Sequence, residues 1–311
     1  ADRIDKIKDK RALALISNEG KALESGFILK QPVLGKTLKQ LSEDMGLSFY
    51  YGDEAARTLA DLASKGSLYS KYDFMKYKSQ LVKPIKLSFK DFEIYGHPLP
   101  SCSVATIKLA MKLIETKRPL LYWNFNDIVQ QAKICREVLN EKYYILSQFY
   151  GKTMDFIAYT PLNQISEDKD ANDSNTTHLC VWDKDNMVVS MTLTLGNHFG
   201  TGELAPGGFF YANSLRTYSD SVVRYTSDYP AYAGSVTSKS PIFVKKQGEP
   251  WLALGGAGAD RIITNTAFVL ARMLKGFNLS DSVNVPRFFL DYNGRLYFES
   301  SEELHTLSVL S

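Results

Sequence analysis

The stretch NDSNTTHLCVWDKDNMVVSMTLTL, Asn172–Leu195, changes character at two adjacent threonines. A polar, loop-like run ends at Asn175. From Thr176 the residues alternate as a strand, pass through DKDN, whose Asp and Asn side chains carry turn chemistry, and continue as a second alternating strand, MVVSMTLTL. Side chains of a strand point to opposite faces in turn. Val188, Ser190, Thr192 and Thr194 therefore share one face, and Val189, Met191, Leu193 and Leu195 the other. Folding the hairpin about Asp183–Asn186 sets Trp182 opposite Met187 and brings Thr176 near Thr192–Thr194. The chain is thus expected to enter a buried sheet beside a row of hydroxyls.

A threonine at the start of a strand is ordinarily structural, and inside a chain its hydroxyl is a weak nucleophile with no base attached. Freed at its own amino terminus it carries a base within bond reach, because the α-amino group titrates near neutrality. That chemistry needs a cuttable loop just upstream and a rigid strand just downstream. Residues 161–175 (PLNQISEDKDANDSN) supply the loop: they are polar, acidic and nearly free of large apolar groups, and form the one clear composition break.

Composition sets the wider limits. The 311 residues, 44% apolar and 23% charged, suit one large soluble domain or two ordinary ones. A net charge of +3, without a basic run carrying interleaved aromatics, gives no nucleic-acid footprint. No apolar run reaches the roughly 18 residues that span a bilayer. The opening ADRIDKIKDKRALAL is charged and lacks the apolar block of a signal segment, which favours the cytoplasm and leaves the periplasm and secretion open. Cys102, Cys135 and Cys180 lack metal-ligand spacing and sit in apolar surroundings, so all are expected as buried free thiols.

Elsewhere, helices and strands come in separate blocks. QPVLGKTLKQLSEDMG puts Val33, Leu34, Leu38 and Leu41 on one helical face, with Gly46 just past its end. GDEAARTLADLASKG repeats this with Ala55, Leu59 and Leu62, stopping at Gly66. LVKPIKLSFKDFEIYGHPLP reads as strand and turn, broken by Pro98 and Pro100. SCSVATIKLAMKLIE reads as a serine-capped helix with Val104, Ile107, Met111 and Ile114 on one side. A second long helix runs through Ile128, Ala132, Cys135 and Leu139. SKSPIFVKKQGEPWLALGGAGADRIITNTAFVLARMLKG is strand, turn, strand, glycine-rich turn and helix, the helix carried by Ile262, Ile263, Thr266, Val269, Leu270 and Met273. RFFLDYNGRLYFES is a hairpin turning at Asn293-Gly294. The blocks argue for α+β layers rather than a βαβ parallel sheet.

Among these segments, a glycine-rich turn that opens a helix, Gly255, Gly256 and Gly258, can aim backbone N–H groups at an anion, as an oxyanion hole or a phosphate cradle. No Walker lysine follows and the spacing is not G-x-G-x-x-G, so a nucleotide reading is poor. The hydroxyls of SVTSKSP (Ser235–Pro241) are either turn chemistry or donors to a substrate carboxylate. Arg224 is read as a solvated surface arginine, His178 as a packed, hydrogen-bonded histidine, Asp260 as a helix cap and Arg261 as a surface or ion-pair residue.

Taken together the motifs resemble the γ-glutamyltranspeptidases, which are N-terminal-nucleophile hydrolases. TTHLCVWDKDNMVVSMTLTLGNHFGTG is similar to their nucleophile segment, and GKALESGFILKQPVLGKTLKQLSEDMGLSFYYGDEAA to their large-subunit helices. YGHPLPSCSVA resembles their proline-serine turn, with Ser103-Val104 where a pair of glycines is usual. TSKSPIFV, LGGAGADRIIT and NVPRFF follow in the family's order, so the resemblance covers roughly Gly20 to Leu310.

This resemblance implies a four-layer αββα sandwich with two stacked antiparallel sheets. It also implies self-cleavage of Asn175–Thr176 into parts 1–175, ending in a polar linker over 166–175, and 176–311, which stay together as a heterodimer within one fold; a larger oligomer is left open. Thr176 then attacks an amide carbonyl of a γ-glutamyl or related acyl amide, and water or an amine resolves the acyl-enzyme. Thr194 matches the threonine that supports the nucleophile, Thr237 and Ser238 the paired serines that hold substrate carboxylate, and Gly258-Ala259 the diglycine of the oxyanion hole. The chain departs from the family in several places. The asparagine two past the supporting threonine is Gly196 here, with Asn197 one step off. The acceptor glutamine and aspartate of the segment that grips the α-amino group correspond to Ser214 and Thr217. Losing that aspartate removes a charge-assisted contact of about 1.5–3 kcal/mol, which argues against glutathione as natural substrate. The family's carboxylate-pairing arginine lies in a part that precedes these residues. No metal or organic cofactor is implied. The other reading is an uncleaved, catalytically silent homologue that acts as a binding or structural protein.

Overall fold

The computed structural model describes residue 4 and residues 7–18, 20–121, 124–149, 165–167, 176–215, 237–259, 261–290 and 296–299. Its helices are α1 (Lys10–Ile16), α2 (Pro32–Asp44), α3 (Leu47–Tyr51), α4 (Asp53–Ser64), α5 (Lys71–Lys76), α6 (Ser103–Glu115), α7 (Phe125–Phe149), α8 (Arg261–Leu274) and α9 (Leu279–Asn284). Its strands are β1 (Ser17–Asn18), β2 (Lys21–Ala22), β3 (Ile85–Phe89), β4 (Phe92–Gly96), β5 (Ile165–Glu167), β6 (Thr176–Trp182), β7 (Val188–Thr194), β8 (Ile242–Lys246), β9 (Glu249–Leu254), β10 (Phe288–Leu290) and β11 (Leu296–Phe298). They gather into two compact units, one of residues 1–81 with 195–214, the other of residues 82–194 with 215–311.

The first unit holds α1 to α5, the β1–β2 pair and the segment 195–214. Asp9 caps α1 by accepting the N–H groups of Arg11 and Ala12, and also takes the Leu204 N–H at 3.2 Å. Helices α2 and α4 form where the periodicity predicts them, and Gly46 and Gly66 follow their ends with positive φ. The apolar stripe of α2 is not its buried side, because Val33 and Leu38 are exposed while Thr37 is buried and donates to the Gly207 carbonyl at 2.8 Å. A backbone carbonyl that needs a donor has taken the inward position.

The second unit is built on the antiparallel sheet β3-β4-β8-β9. Alternation gives that sheet two faces. Phe92, Ile94, Ile242, Val244, Leu252 and Leu254 join one core with Ile107, Leu109, Ala110 and Leu113 of α6, Ala132 and Cys135 of α7, and Phe268 and Leu270 of α8. The buried side of α6 is Ala105, Thr106, Leu109, Ala110 and Leu113 with Ile107, so the stripe expected through Val104 and Met111 sits at its margin. Small residues here let α6 approach: a Cβ on Gly96 would lie 2.5 Å from the Ser103 Cβ. In α8, Arg272 is fully buried and donates to the carbonyls of Leu120, Ser282, Val285 and Pro286, which ties the helix to its flanking loops.

Tyr95 and Phe243 stack on the opposite face of the sheet, and with Val188 and Ser190 they line a groove of about 450 Å³. The β6–β7 hairpin therefore lies across that groove, and Ser190 Oγ reaches the Leu254 carbonyl at 3.1 Å. Helices, sheet and hairpin give three successive layers. The outer hairpin face, Leu179, Val181, Val189, Met191 and Leu193, is exposed, and among the described residues of this unit no helix covers it. A third sheet runs β10-β11-β5, where β5 pairs in parallel with β11. The stretch expected to be only exposed loop thus contributes a short strand. The turn at Asn293-Gly294 lies outside the described residues, as do Arg224 and Asp260.

Two more expectations change. Trp182 pairs with Val188, not Met187. Asp183 N–H bonds to the Met187 carbonyl, and Asp183 Oδ1 accepts the N–H groups of Asp185 and Met187. Asn186 adopts a left-handed φ of 63°. This is a type I turn closed by a left-handed residue, which adds one residue to the loop and advances the register by one. Of the cysteines, Cys102 and Cys135 are buried, and burial pushes the Cys135 thiol up to about 12, but Cys180 is exposed on the hairpin.

Candidate active site

Thr176 is the first residue of β6 and pairs with Thr194, the last of β7. Both are half-buried, and Thr176 Oγ1 donates to Thr194 Oγ1 at 3.2 Å. Because register and alternation both favour it, the inner hairpin face becomes a polar ladder: Thr176 beside Thr194, His178 beside Thr192, Cys180 beside Ser190. His178 Nδ1 lies 2.8 Å from Thr192 Oγ1, and Nε2 lies 3.2 Å from Cys180 Sγ. Burial holds the His178 imidazole below its ordinary value, which favours its neutral form.

Antiparallel order brings the other candidates to the same end of the sheet. Ile242, which opens β8, pairs with Leu254, which closes β9, and with Gly96, which closes β4. The loop 237–241 and the glycine turn 255–259 therefore leave the sheet side by side. Gly255 sits directly against the His178 ring: a Cβ there would overlap Cε1 and Nδ1 and come within 2.8 Å of Nε2. That contact joins the glycine turn to β6.

In the turn itself Gly258 has φ +113° and Ala259 φ +52°. The carbonyls of this pair accept from Arg261 and Ile262, which starts α8. Among the described residues neither the Gly258 nor the Ala259 N–H has an acceptor. Two unclaimed donors ahead of a helix are what a developing oxyanion requires. Arg261 stacks its guanidinium over the Phe289 ring.

The loop with Thr237 and Ser238 is pinned from α6 and its entry. Cys102 Sγ donates to the Thr237 carbonyl at 2.9 Å and Ser101 Oγ to the Lys239 carbonyl at 2.8 Å. Ser103 Oγ donates to the Pro241 carbonyl at 3.0 Å. Among the described residues no cluster of three His, Cys, Asp or Glu could hold a metal ion. No described helix is long and apolar enough to cross a membrane.

This ordered set of motifs matches a family model described as gamma-glutamyltranspeptidase over residues 1–311. The chain belongs to the gamma-glutamyltranspeptidase family. It is 28% identical over 311 residues to the glutathione hydrolase proenzyme of Escherichia coli (strain K12), covering 88% of this chain and 53% of that protein. Over 295 residues it is 27% identical to the capsule biosynthesis protein CapD proenzyme of Bacillus anthracis, covering 90% and 53%. The chain thus spans about half the length of the curated relatives it matches. Among solved structures, a cephalosporin acylase from Bacillus halodurans superposes with a TM-score of 0.74 at 15% identity, covering 99% of this chain and 60% of that one. The fold is therefore the α+β fold of the N-terminal-nucleophile hydrolases.

Of the positions carried over from the gamma-glutamyltranspeptidase pattern, Thr176, Thr194, Thr237, Ser238, Gly258 and Ala259 fall in the second unit, at one end of its sheet and hairpin. Asn197 and Ser214 fall in the first unit. Thr217 and Asn175 lie outside the described residues. The first unit also explains one departure. Gly196 has φ +87°, and a Cβ on it would overlap Asn213 Oδ1. That oxygen accepts the Asn197 N–H at 2.8 Å, so a side chain at position 196 would require Asn213 to shift and give up this bond. His178 as the link to Gly255 was not foreseen. Its place two residues past Thr176, on the same strand face, was the available signal.

Proposed function

We propose that this protein is a self-processing amidohydrolase or acyltransferase whose nucleophile is Thr176. The observation that carries this is the Thr176–Thr194 hydroxyl pair, set at a strand start next to a glycine turn with unclaimed amides. Thr194 orients the Thr176 hydroxyl. In maturation Thr176 Oγ1 attacks the Asn175 carbonyl carbon, the peptide C–N bond breaks as the nitrogen takes a proton, and water hydrolyses the resulting ester. Residues 1–175 and 176–311 then remain together as a heterodimer.

The freed α-amino group, with an ordinary pKa near about 7.7–8.0, accepts the Thr176 hydroxyl proton. The alkoxide attacks a γ-glutamyl or related acyl amide. The Gly258 and Ala259 N–H groups hold the oxyanion, and the amine leaves with the proton. Water or an amine then opens the acyl-enzyme. Both relatives named above are described as proenzymes, which supports the processing step. With Ser214 and Thr217 at the positions that match the family's amino anchors, acyl donors other than glutathione are favoured.

Amino-terminal sequencing and intact mass of the full-length protein test this. Wild type is expected to yield a new terminus at Thr176, and Thr176→Ala to stay uncut and inactive on acyl anilides. An uncut variant that still turns over an amide, or a wild type that never cuts, would refute the assignment and favour the silent homologue.

A further inference from the structure

We propose that His178 and Cys180 form a binding site for an exchangeable zinc-type transition-metal ion, independent of the acyl-transfer reading. The two residues stand at i and i+2 on β6, so their side chains leave the same face of one strand. Their ligating atoms already face each other, with His178 Nε2 3.2 Å from Cys180 Sγ. Zinc binds an imidazole nitrogen at about 2.0–2.1 Å and a thiolate sulfur at about 2.3 Å. A tetrahedral angle at the ion then sets the two atoms about 3.5–3.6 Å apart. Ring and thiol need to part by only a few tenths of an ångström to admit it.

The surroundings supply what such a ligand pair needs. His178 Nδ1 lies 2.8 Å from Thr192 Oγ1. With the ring proton on Nδ1 and donated to that hydroxyl, the Nε2 lone pair faces the thiol, and a second bond orients the ring as in metal-bound histidines. Gly255, against the ring edge, limits its movement further. Burial favours the neutral imidazole, which is the form that ligates. Cys180 is exposed whereas Cys102 and Cys135 are buried, so an ion from solvent meets this thiol. On binding, the S–H proton passes to water, a sulfur–metal bond forms, and Nε2 gives its lone pair to the same ion. Ser190 pairs with Cys180 across the hairpin and is hydrogen-bonded to its thiol, which keeps a polar oxygen beside the thiolate. Two protein ligands fall short of the set that closes a structural zinc site, so water fills the remaining positions and the ion exchanges. Thiolate with imidazole selects zinc or copper over magnesium or calcium.

Co2+ serves as the probe, because zinc itself is colourless. Full-length wild type should bind it with a thiolate-to-cobalt charge-transfer band that Zn2+ displaces and Mg2+ does not. Cys180→Ser should lose the band, and Thr192→Val should weaken binding by about 10–100-fold. Zn2+ should also slow alkylation of Cys180 by iodoacetamide, read by peptide mass, and EDTA should restore the rate. Cys102 and Cys135 remain in Cys180→Ser, so a band that persists there places the ion elsewhere and overturns the proposal. The absence of a band in wild type, or an alkylation rate that zinc leaves unchanged, also overturns it. Should Cys180→Ser fail to fold, wild type alkylated at Cys180 takes its place: loss of the band upholds the site, and its persistence overturns it.

Discussion

Replacing Gly255 with alanine probes whether the glycine turn is seated on the nucleophile strand through His178. The added Cβ would stand 2.8 Å from the ring Nε2, and closer still to Cε1 and Nδ1. Carbon atoms pack at about 3.5–4.0 Å, so the ring must withdraw by about 1 Å. Its Nδ1 contact to Thr192 Oγ1 is 2.8 Å and its Nε2 contact to Cys180 Sγ is 3.2 Å, and the withdrawal stretches both out of range. Two modest hydrogen bonds are worth about 0.5–1.5 kcal/mol each, and overpacking adds about 1–3 kcal/mol. The ring is only half-buried and can swing toward the groove, so the lower part of that range, about 2–3 kcal/mol, is expected. Urea unfolding of Gly255→Ala, His178→Ala and the double variant measures it. Because the cost is a clash with the ring, it should nearly vanish in the His178→Ala background, a non-additive result. A cost below about 0.5 kcal/mol, or the same cost in both backgrounds, would refute this seating.

Other consequences follow from the same region. Ala259 holds a left-handed φ of 52°, a conformation costing an L-residue about 1–2 kcal/mol. Ala259→Gly relieves that but widens the unfolded ensemble, leaving a net stabilisation of about 0.5–1 kcal/mol. Turnover should be kept because the N–H remains, and a lowered Tm would contradict the strain. Burial depresses the His178 pKa below its ordinary 6.5, so the unfolded chain binds the proton more readily than the folded one. The neutral ring's contribution is therefore complete above about pH 6.5 and is lost as pH falls, levelling off below the folded pKa. Urea midpoints at pH 7.5 and 5.5 should differ less in His178→Asn than in wild type; equal differences would show that another group sets the acid limb.

Much of this was legible as periodicity. Ile128, Ala132, Cys135 and Leu139 of α7 are all buried as their spacing requires, and the paired strands β3–β4, β8–β9 and β10–β11 lie where alternation placed them. The misses share a cause: a tertiary hydrogen bond or a turn detail that pattern cannot carry. Thr37 displaced an apolar stripe because the Gly207 carbonyl, 170 residues away, needed a donor. Asn186 shifted a register through a single left-handed residue.

The hairpin breaks the usual rule in an informative way. Its inner face, toward the groove, carries Thr176, His178, Thr192 and Thr194, while Leu179, Val181, Met191 and Leu193 face outward and exposed. Hydrophobic burial alone would favour the opposite orientation. The inner polar groups are nevertheless matched to one another: Thr176 with Thr194, His178 with Thr192 and Cys180, Ser190 with the Leu254 carbonyl. A one-residue slip of β7 against β6 would exchange the faces and unpair these groups. Local violations of patterning that are offset by a satisfied polar network are characteristic of sites selected for chemistry. Here the network ends at Thr176, the proposed nucleophile, and the pairing that keeps Thr194 opposite Thr176 also sets its hydroxyl at the sheet end where the glycine turn emerges.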